Sequence, residues 1–113
     1  MLTIYGIKNC DTVKKALKWL DAEGIAYTFH DLRVDGLTPA MAARWVDALG
    51  WESALNRRST TWRELPDADK ATLDADTATT LLVRFPTLAK RPIFEEKGHV
   101  INGFTDAVRA RLA

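Results

Sequence analysis

Apolar residues recur along this chain with two different periods, and the changes of period divide it into elements. Leu2 to Tyr5 is a short apolar run that reads as a strand. Val13, Ala16, Leu17 and Leu20 then follow the i, i+3, i+4, i+7 spacing of an amphipathic helix, and Gly24 stands where such a helix stops. Ile25, Tyr27 and Phe29 alternate with small or polar residues up to His30, which predicts a second strand with those three on one face. Strand, helix and strand in that order form a βαβ unit, with parallel pairing and a right-handed crossover.

The helical period then takes over. Asp35-Gly36 marks a turn, and Thr38-Pro39 reads as an N-cap followed by proline at the first helical position. This predicts a helix to Leu49, with Met41, Trp45, Ala48 and Leu49 inward and Gly50 as its stop. Trp51 to Leu55 reads as a short helical piece. Asn56 to Arg63 reads as a polar loop, Asp67 as the cap of a short helix, and Asp76 or Thr77 as the start of a helix that buries Leu81, Leu82 and Phe85 before Pro86. Residues from about 36 to 86 therefore form a helical block without a clear strand. Alternation returns in Arg91 to Glu95 and His99 to Ile101, which flank Glu96-Lys97-Gly98 as a hairpin would. Asn102-Gly103 leads into a final helix with Phe104, Ala107, Val108 and Leu112 on one face. The order is β-α-β, helical block, β-β-α, an α/β class.

Composition narrows the possible chemistry. The chain has 113 residues, a length suited to one domain, and a net charge of +1 gives no general attraction to nucleic acid or to a membrane surface. No apolar run is long enough for a transmembrane helix, and Met1 to Tyr5 has neither the basic nor the long apolar part of a signal peptide. A cytoplasmic location is expected, where an unpaired thiol stays reduced. The single cysteine excludes an internal disulfide and any cysteine-rich zinc site, and His30 and His99 have no metal-ligand spacing. No metal is expected.

That cysteine, Cys10, falls between the first strand and the first helix, at the N-cap or in the first turn. Unbonded backbone N–H groups and the helix dipole favour negative charge there, which pushes a thiol toward its nucleophilic thiolate. Lys8 and Lys14 add positive field, and Asp11 opposes them. The polar neighbours Lys8, Asn9 and Asp11 set the site apart from the buried, inert cysteines of protein cores. His30 reads as structural. The arginines Arg57, Arg58 and Arg63 in a polar segment read, on composition alone, as a solvated loop.

Three segments carry a resemblance over essentially the whole chain. Tyr5-Gly6-Ile7-Lys8-Asn9-Cys10-Asp11-Thr12, Thr60-Thr61-Trp62-Arg63 after a loop arginine, and Leu88-Ala89-Lys90-Arg91-Pro92-Ile93 together resemble the YffB-like branch of the arsenate reductase (ArsC)/Spx family. The resemblance implies a thioredoxin-like fold with a helical insertion: one domain over 1–113, its core about 1–35 and 87–113 and its insertion about 36–86. It implies that Cys10 is the nucleophile and that Pro92 is a cis-proline. It further implies that Arg91 holds an oxyanion or a sulfur-bound intermediate, with Arg58 as the loop arginine. Arg57 is the substitute if the register slips by one. Lys8, Asn9, Thr12, Arg57 and Pro92 are expected to line the substrate site.

Two departures shape the expected activity. Val13 stands where thioredoxin-type enzymes carry the second cysteine of C-x-x-C, so an external thiol must resolve any adduct. Glutathione is the expected co-substrate, with no tightly bound cofactor, and the partner is glutathione, a glutathione mixed disulfide or a protein thiol. Arsenate reductases of the family place a hydroxyl residue at the position of Val13, and Asp11 replaces their glycine with a negative charge. Both changes disfavour a small multiply charged oxyanion. The expectation is a glutathione-dependent thiol–disulfide oxidoreductase. The alternatives are a glutathione-linked arsenate reductase and a Spx-like regulator that binds RNA polymerase.

Overall fold

The computed structural model describes residues 2–113; Met1 lies outside the described residues. The elements run β1 (Leu2–Gly6), α1 (Asp11–Ala22), β2 (Tyr27–Asp31), α2 (Pro39–Leu49), α3 (Trp51–Ala54), α4 (Thr60–Glu64), α5 (Asp67–Ala71), α6 (Ala75–Arg84), a 3-10 turn (Pro86–Leu88), β3 (Ile93–Glu96), β4 (His99–Asn102) and α7 (Asp106–Leu112). This is the thioredoxin-like α/β arrangement, with a helical block between β2 and β3. It resolves into two compact units, residues 1–35 with 91–113 and residues 36–90.

The first unit is built on a four-stranded sheet of order β2-β1-β3-β4. β1 and β2 pair in parallel from Leu2↔Tyr27 to Gly6↔Asp31, as the βαβ reading requires. β3 runs antiparallel to β1, with Tyr5 opposite Ile93, and the hairpin partner β4 closes the far edge. Lys97 (φ 52°) and Gly98 (φ 81°) form its two-residue turn, a geometry that suits glycine and strains most other residues. One sheet face carries Leu2, Ile4 and Phe94, and α1 and α7 cover it with Ala16, Leu20 and Val108. Ile25, Tyr27 and Phe29 pack against this core together, as their alternation predicts. Phe104 also reaches it, although α7 starts later than expected, at Asp106, because Thr105 rather than Asn102-Gly103 supplies the cap to Val108 N. Ala107, expected on the inner face, is exposed.

The second unit packs α2 and α6 around Trp45, which is fully buried. Thr38 caps α2 at Met41 N, with Pro39 next to it, as read from the sequence. The inward stripe differs: Met41, Ala42, Trp45 and Val46 are buried, whereas Ala48 is exposed and Leu49 lies at the end of the helix. At 100° per residue, Ala48 falls about a quarter-turn from the centre of that stripe. The polar segment after Asn56 is only partly loop, since Ser59 accepts from Trp62 N and starts α4. Helix α6 begins earlier than expected. Asp74 and Thr77 form a reciprocal capping box, and Asp74 Oδ1 accepts from Thr77 N at 2.9 Å. Asp67 is the first residue of α5 rather than its cap, a position Pro66 takes. Residues 87–90 go with this unit. Leu55 and Ala89 form an antiparallel bridge, Asn56 N donates to Leu88 O at 2.8 Å, and Lys90 N donates to Ala54 O at 2.9 Å.

Candidate functional site

Cys10 is the N-cap of α1, in extended conformation, and its side chain makes no capping hydrogen bond. Its carbonyl accepts the first helical bond, from Lys14 N at 3.0 Å, and its own N–H is tied to Ile7 O at 3.2 Å. The amides of the first turn therefore lack a side-chain acceptor, and the partly exposed sulfur is the side chain of the capping position. Such an end attracts negative charge.

The place where α1 begins is set by a contact between Gly6 and Val13. Val13 is fully buried. A Cβ built on Gly6 would lie 2.6 Å from Val13 Cγ2 and 2.9 Å from Cγ1, so only glycine lets the helix come this close to the strand. Glycine at the end of β1 and valine one turn into α1 thus fix the loop that carries Cys10. Val13 is a packing residue here, beneath the helix start.

Arg91 enters the same unit just ahead of β3, and the Arg91–Pro92 peptide is cis. Pro92 is fully buried, and its carbonyl accepts from Gly103 N at 2.9 Å. The guanidinium of Arg91 is only partly exposed, and its Nη1 is buried without a hydrogen-bond partner among the described residues. Burial lowers the Arg91 pKa from the ordinary arginine value. The sulfur of Cys10 acts in the opposite direction, and the nearby cation of Arg33 lowers it further. A buried guanidinium N–H without an acceptor is costly, and an arginine here remains charged. The arrangement is a cation with an unused donor, in electrostatic reach of a helix-capping thiol.

The structure brings Cys10, Arg91 and Pro92 into one unit, together with Lys8, Asn9 and Thr12, all three of them exposed. The loop arginines belong to the second unit and differ from each other. Arg57 pairs with Glu52 at 3.9 Å and lies over the Trp51 ring at 5.7 Å. Arg58 is exposed, and its guanidinium has no ion pair or hydrogen bond among the described residues, while its backbone N–H donates to Asn56 Oδ1 at 3.1 Å. Of the doublet, Arg58 is the one whose side chain has no ion pair or hydrogen bond among the described residues. His30 packs its ring against Tyr5, with centroids 5.0 Å apart. Among the described residues no group of three or more histidine, cysteine, aspartate or glutamate side chains could hold a metal ion. Within the same limits, no helix is long and apolar enough to cross a membrane.

Sequence reasoning missed Arg33. It lies two residues beyond β2 and reaches Arg91 electrostatically. The signal that could have found it was the parallel pairing of β1 with β2, which puts the ends of both strands side by side.

Residues 5–111 match the ArsC family. A solved structure described as the YffB protein is 44% identical, has a TM-score of 0.95 and matches over 100% of both chains. A protein of Haemophilus influenzae, described as uncharacterized, is 49% identical over 106 residues, 94% of this chain and 93% of the relative. The global transcriptional regulator Spx 1 of Lactococcus lactis is 27% identical over 99% of this chain and 89% of its own length.

Proposed function

The chain belongs to the ArsC family, and from that membership we propose that it is a glutathione-dependent thiol–disulfide oxidoreductase whose nucleophile is Cys10. The observation that carries this reading is the helix-capping sulfur of Cys10 in electrostatic reach of a guanidinium whose buried Nη1 has no hydrogen-bond partner among the described residues. In the reaction, the Cys10 thiolate attacks one sulfur of a mixed disulfide between glutathione and a second thiol. A Cys10–glutathione disulfide forms, and the second thiol leaves as a thiolate that takes a proton from water. A second glutathione thiolate then attacks the glutathione sulfur of the adduct. Oxidised glutathione departs and the Cys10 thiolate is restored. The resolving thiol comes from solution because Val13 occupies the place of a resolving cysteine.

Arg91 offers its planar fork to a carboxylate or to the polar intermediate, and Arg58 is the second arginine assigned to this task by the family pattern. Lys8, Asn9 and Thr12 line the approach to the sulfur. A reducing cytosol is the setting in which this cycle runs. The test is a glutathione-coupled assay on the mixed disulfide of glutathione and 2-mercaptoethanol. Wild type turns it over and Cys10→Ser does not; equal rates in the two would end the proposal.

The likeness to a Spx regulator supports a second reading, a regulator that acts by binding. It predicts retention of RNA polymerase subunits on the immobilised protein, undiminished by Cys10→Ser, with no turnover in the assay above.

A further inference from the structure

We propose that Arg33 is a specificity-determining residue of the Cys10 site, a second cation that selects thiol and disulfide substrates bearing a carboxylate. This rests on Cys10 being the nucleophile of the preceding section and extends it to the substrate's charge.

Strand register supplies the first argument. The parallel pairing of β1 with β2 ends at Gly6↔Asp31, and Leu32 N still donates to Gly6 O at 2.8 Å. The antiparallel pairing of β1 with β3 reaches Tyr5↔Ile93. Arg33 follows the last parallel pair by two residues and Arg91 precedes the last antiparallel pair by two, so each lies at the end of β1 that leads into the Cys10 loop. Both arginines thus flank the loop that delivers Cys10, one on each side, at the same end of the sheet.

The Arg33 side chain is also left without a partner by its own turn. Its turn contains two carboxylates that could have neutralised it, and both are committed elsewhere. Asp31 is buried, 5% exposed. Its Oδ1 accepts from Arg33 N at 2.9 Å and Val34 N at 3.3 Å. Asp35 Oδ2 accepts from Asp31 N at 3.0 Å, and Asp31 O accepts from Asp35 N at 2.7 Å. The turn is locked by its own acids through the backbone, while the Arg33 side chain is exposed and has no ion pair or hydrogen bond among the described residues. The positive charge of Arg33 acts on Arg91 in the unfavourable direction. Two cations at one end of the sheet, neither paired with a carboxylate among the described residues, favour an anion arriving from outside, and a carboxylate matches the guanidinium fork.

The experiment is alkylation of Cys10 by iodoacetate, which is anionic, and by iodoacetamide, which is neutral, followed by mass spectrometry. The ratio of the two second-order rates is the quantity read. A uniform change in the sulfur's nucleophilicity or in protein stability cancels in it. Arg33→Ala should lower the ratio about threefold or more at low ionic strength, Arg33→Glu should lower it further, and Arg33→Lys should hold it near wild type. Salt at about 0.5 M should erase most of the differences. A ratio unmoved by Arg33→Ala and Arg33→Glu overturns the assignment of Arg33, and does so whether or not the protein turns over glutathione disulfides. Conversely, failure of the glutathione-coupled assay leaves this ratio measurable, so the two readings fail separately.

Discussion

Replacing Gly6 with alanine would set a methyl carbon 2.6 Å from Val13 Cγ2 and 2.9 Å from Cγ1. Neither partner can move aside at low cost. Val13 is fully buried in the first turn of α1, and Gly6 is held by its pairing with Asp31 and by the bond from Leu32 N to its carbonyl, 2.8 Å long. Overpacking of this kind costs about 1–3 kcal/mol, and the smaller entropy of the unfolded alanine chain returns about 0.4–1 kcal/mol. A net loss of about 1–2 kcal/mol should lower the urea midpoint by about 1 M for a chain of this size. The double variant supplies the decisive comparison. Val13→Ala alone removes two buried methyl groups and should cost about 2 kcal/mol. In Gly6→Ala/Val13→Ala the new methyl has room, so the double variant should be no less stable than Val13→Ala alone, a coupling of about 1 kcal/mol or more. Gly6→Ala should also slow alkylation of Cys10, because a displaced helix start displaces the sulfur. Additivity of the two substitutions within about 0.5 kcal/mol would refute the claim that this contact fixes the helix.

Two further predictions address the site and the helical unit. Arg91→Lys keeps a positive charge but loses the planar fork, and should lower kcat/KM for the glutathione mixed disulfide by about tenfold, the scale of one charge-assisted hydrogen bond; a loss under twofold would show that charge alone suffices. Asp74 has its pKa lowered below 3.8, first by the backbone hydrogen bond from Thr77 and then by the Thr77 hydroxyl. A depressed folded-state pKa gives stability that is complete above the unfolded value and is lost as pH falls through the folded one. The difference in urea midpoint between wild type and Asp74→Asn, which keeps a capping oxygen but cannot ionise, should therefore narrow as pH drops below 3.8. A gap that stays constant through that range would count against the ionised capping box.

The parts of this fold that were legible in the sequence are those determined locally. The α1 stripe of Val13, Ala16 and Leu20, the Thr38-Pro39 start of α2 and the turn before β4 each depend on residues a few positions apart, and each lies where the pattern put it. Misplaced boundaries trace to caps that compete over short distances. Ser59 turned half of a polar loop into α4, and Asp74 with Thr77 took the start of α6 from Asp76. The cis bond before Pro92 was read from family resemblance and not from periodicity. Arg33 was invisible for a different reason: its relation to Arg91 exists only once two strands have paired with β1 in opposite senses.

The same separation of local and distant information explains why a chain with one cysteine needs so many cations. In a C-x-x-C protein the second thiol lies one turn away and requires no recognition. Here that turn is given to packing, because Val13 fills the space that Gly6 leaves between strand and helix. In the proposed cycle a thiol recruited from solution must instead be held by something, and the proposed co-substrate, glutathione, carries carboxylates suited to the purpose. The Cys10 loop itself offers one cation, Lys8, and the acidic Asp11 follows it at the start of α1. The further cations proposed for this task come from segments that the sheet brings to that end, Arg91 ahead of β3 and Arg33 after β2. Val13→Cys in this chain should add a buried thiol without creating a dithiol enzyme: external glutathione should still be required for turnover, and the demand for carboxylate on the substrate should persist. Turnover of Val13→Cys with a thioredoxin-type reductant in place of glutathione would show that packing at this position does not dictate the source of the second thiol.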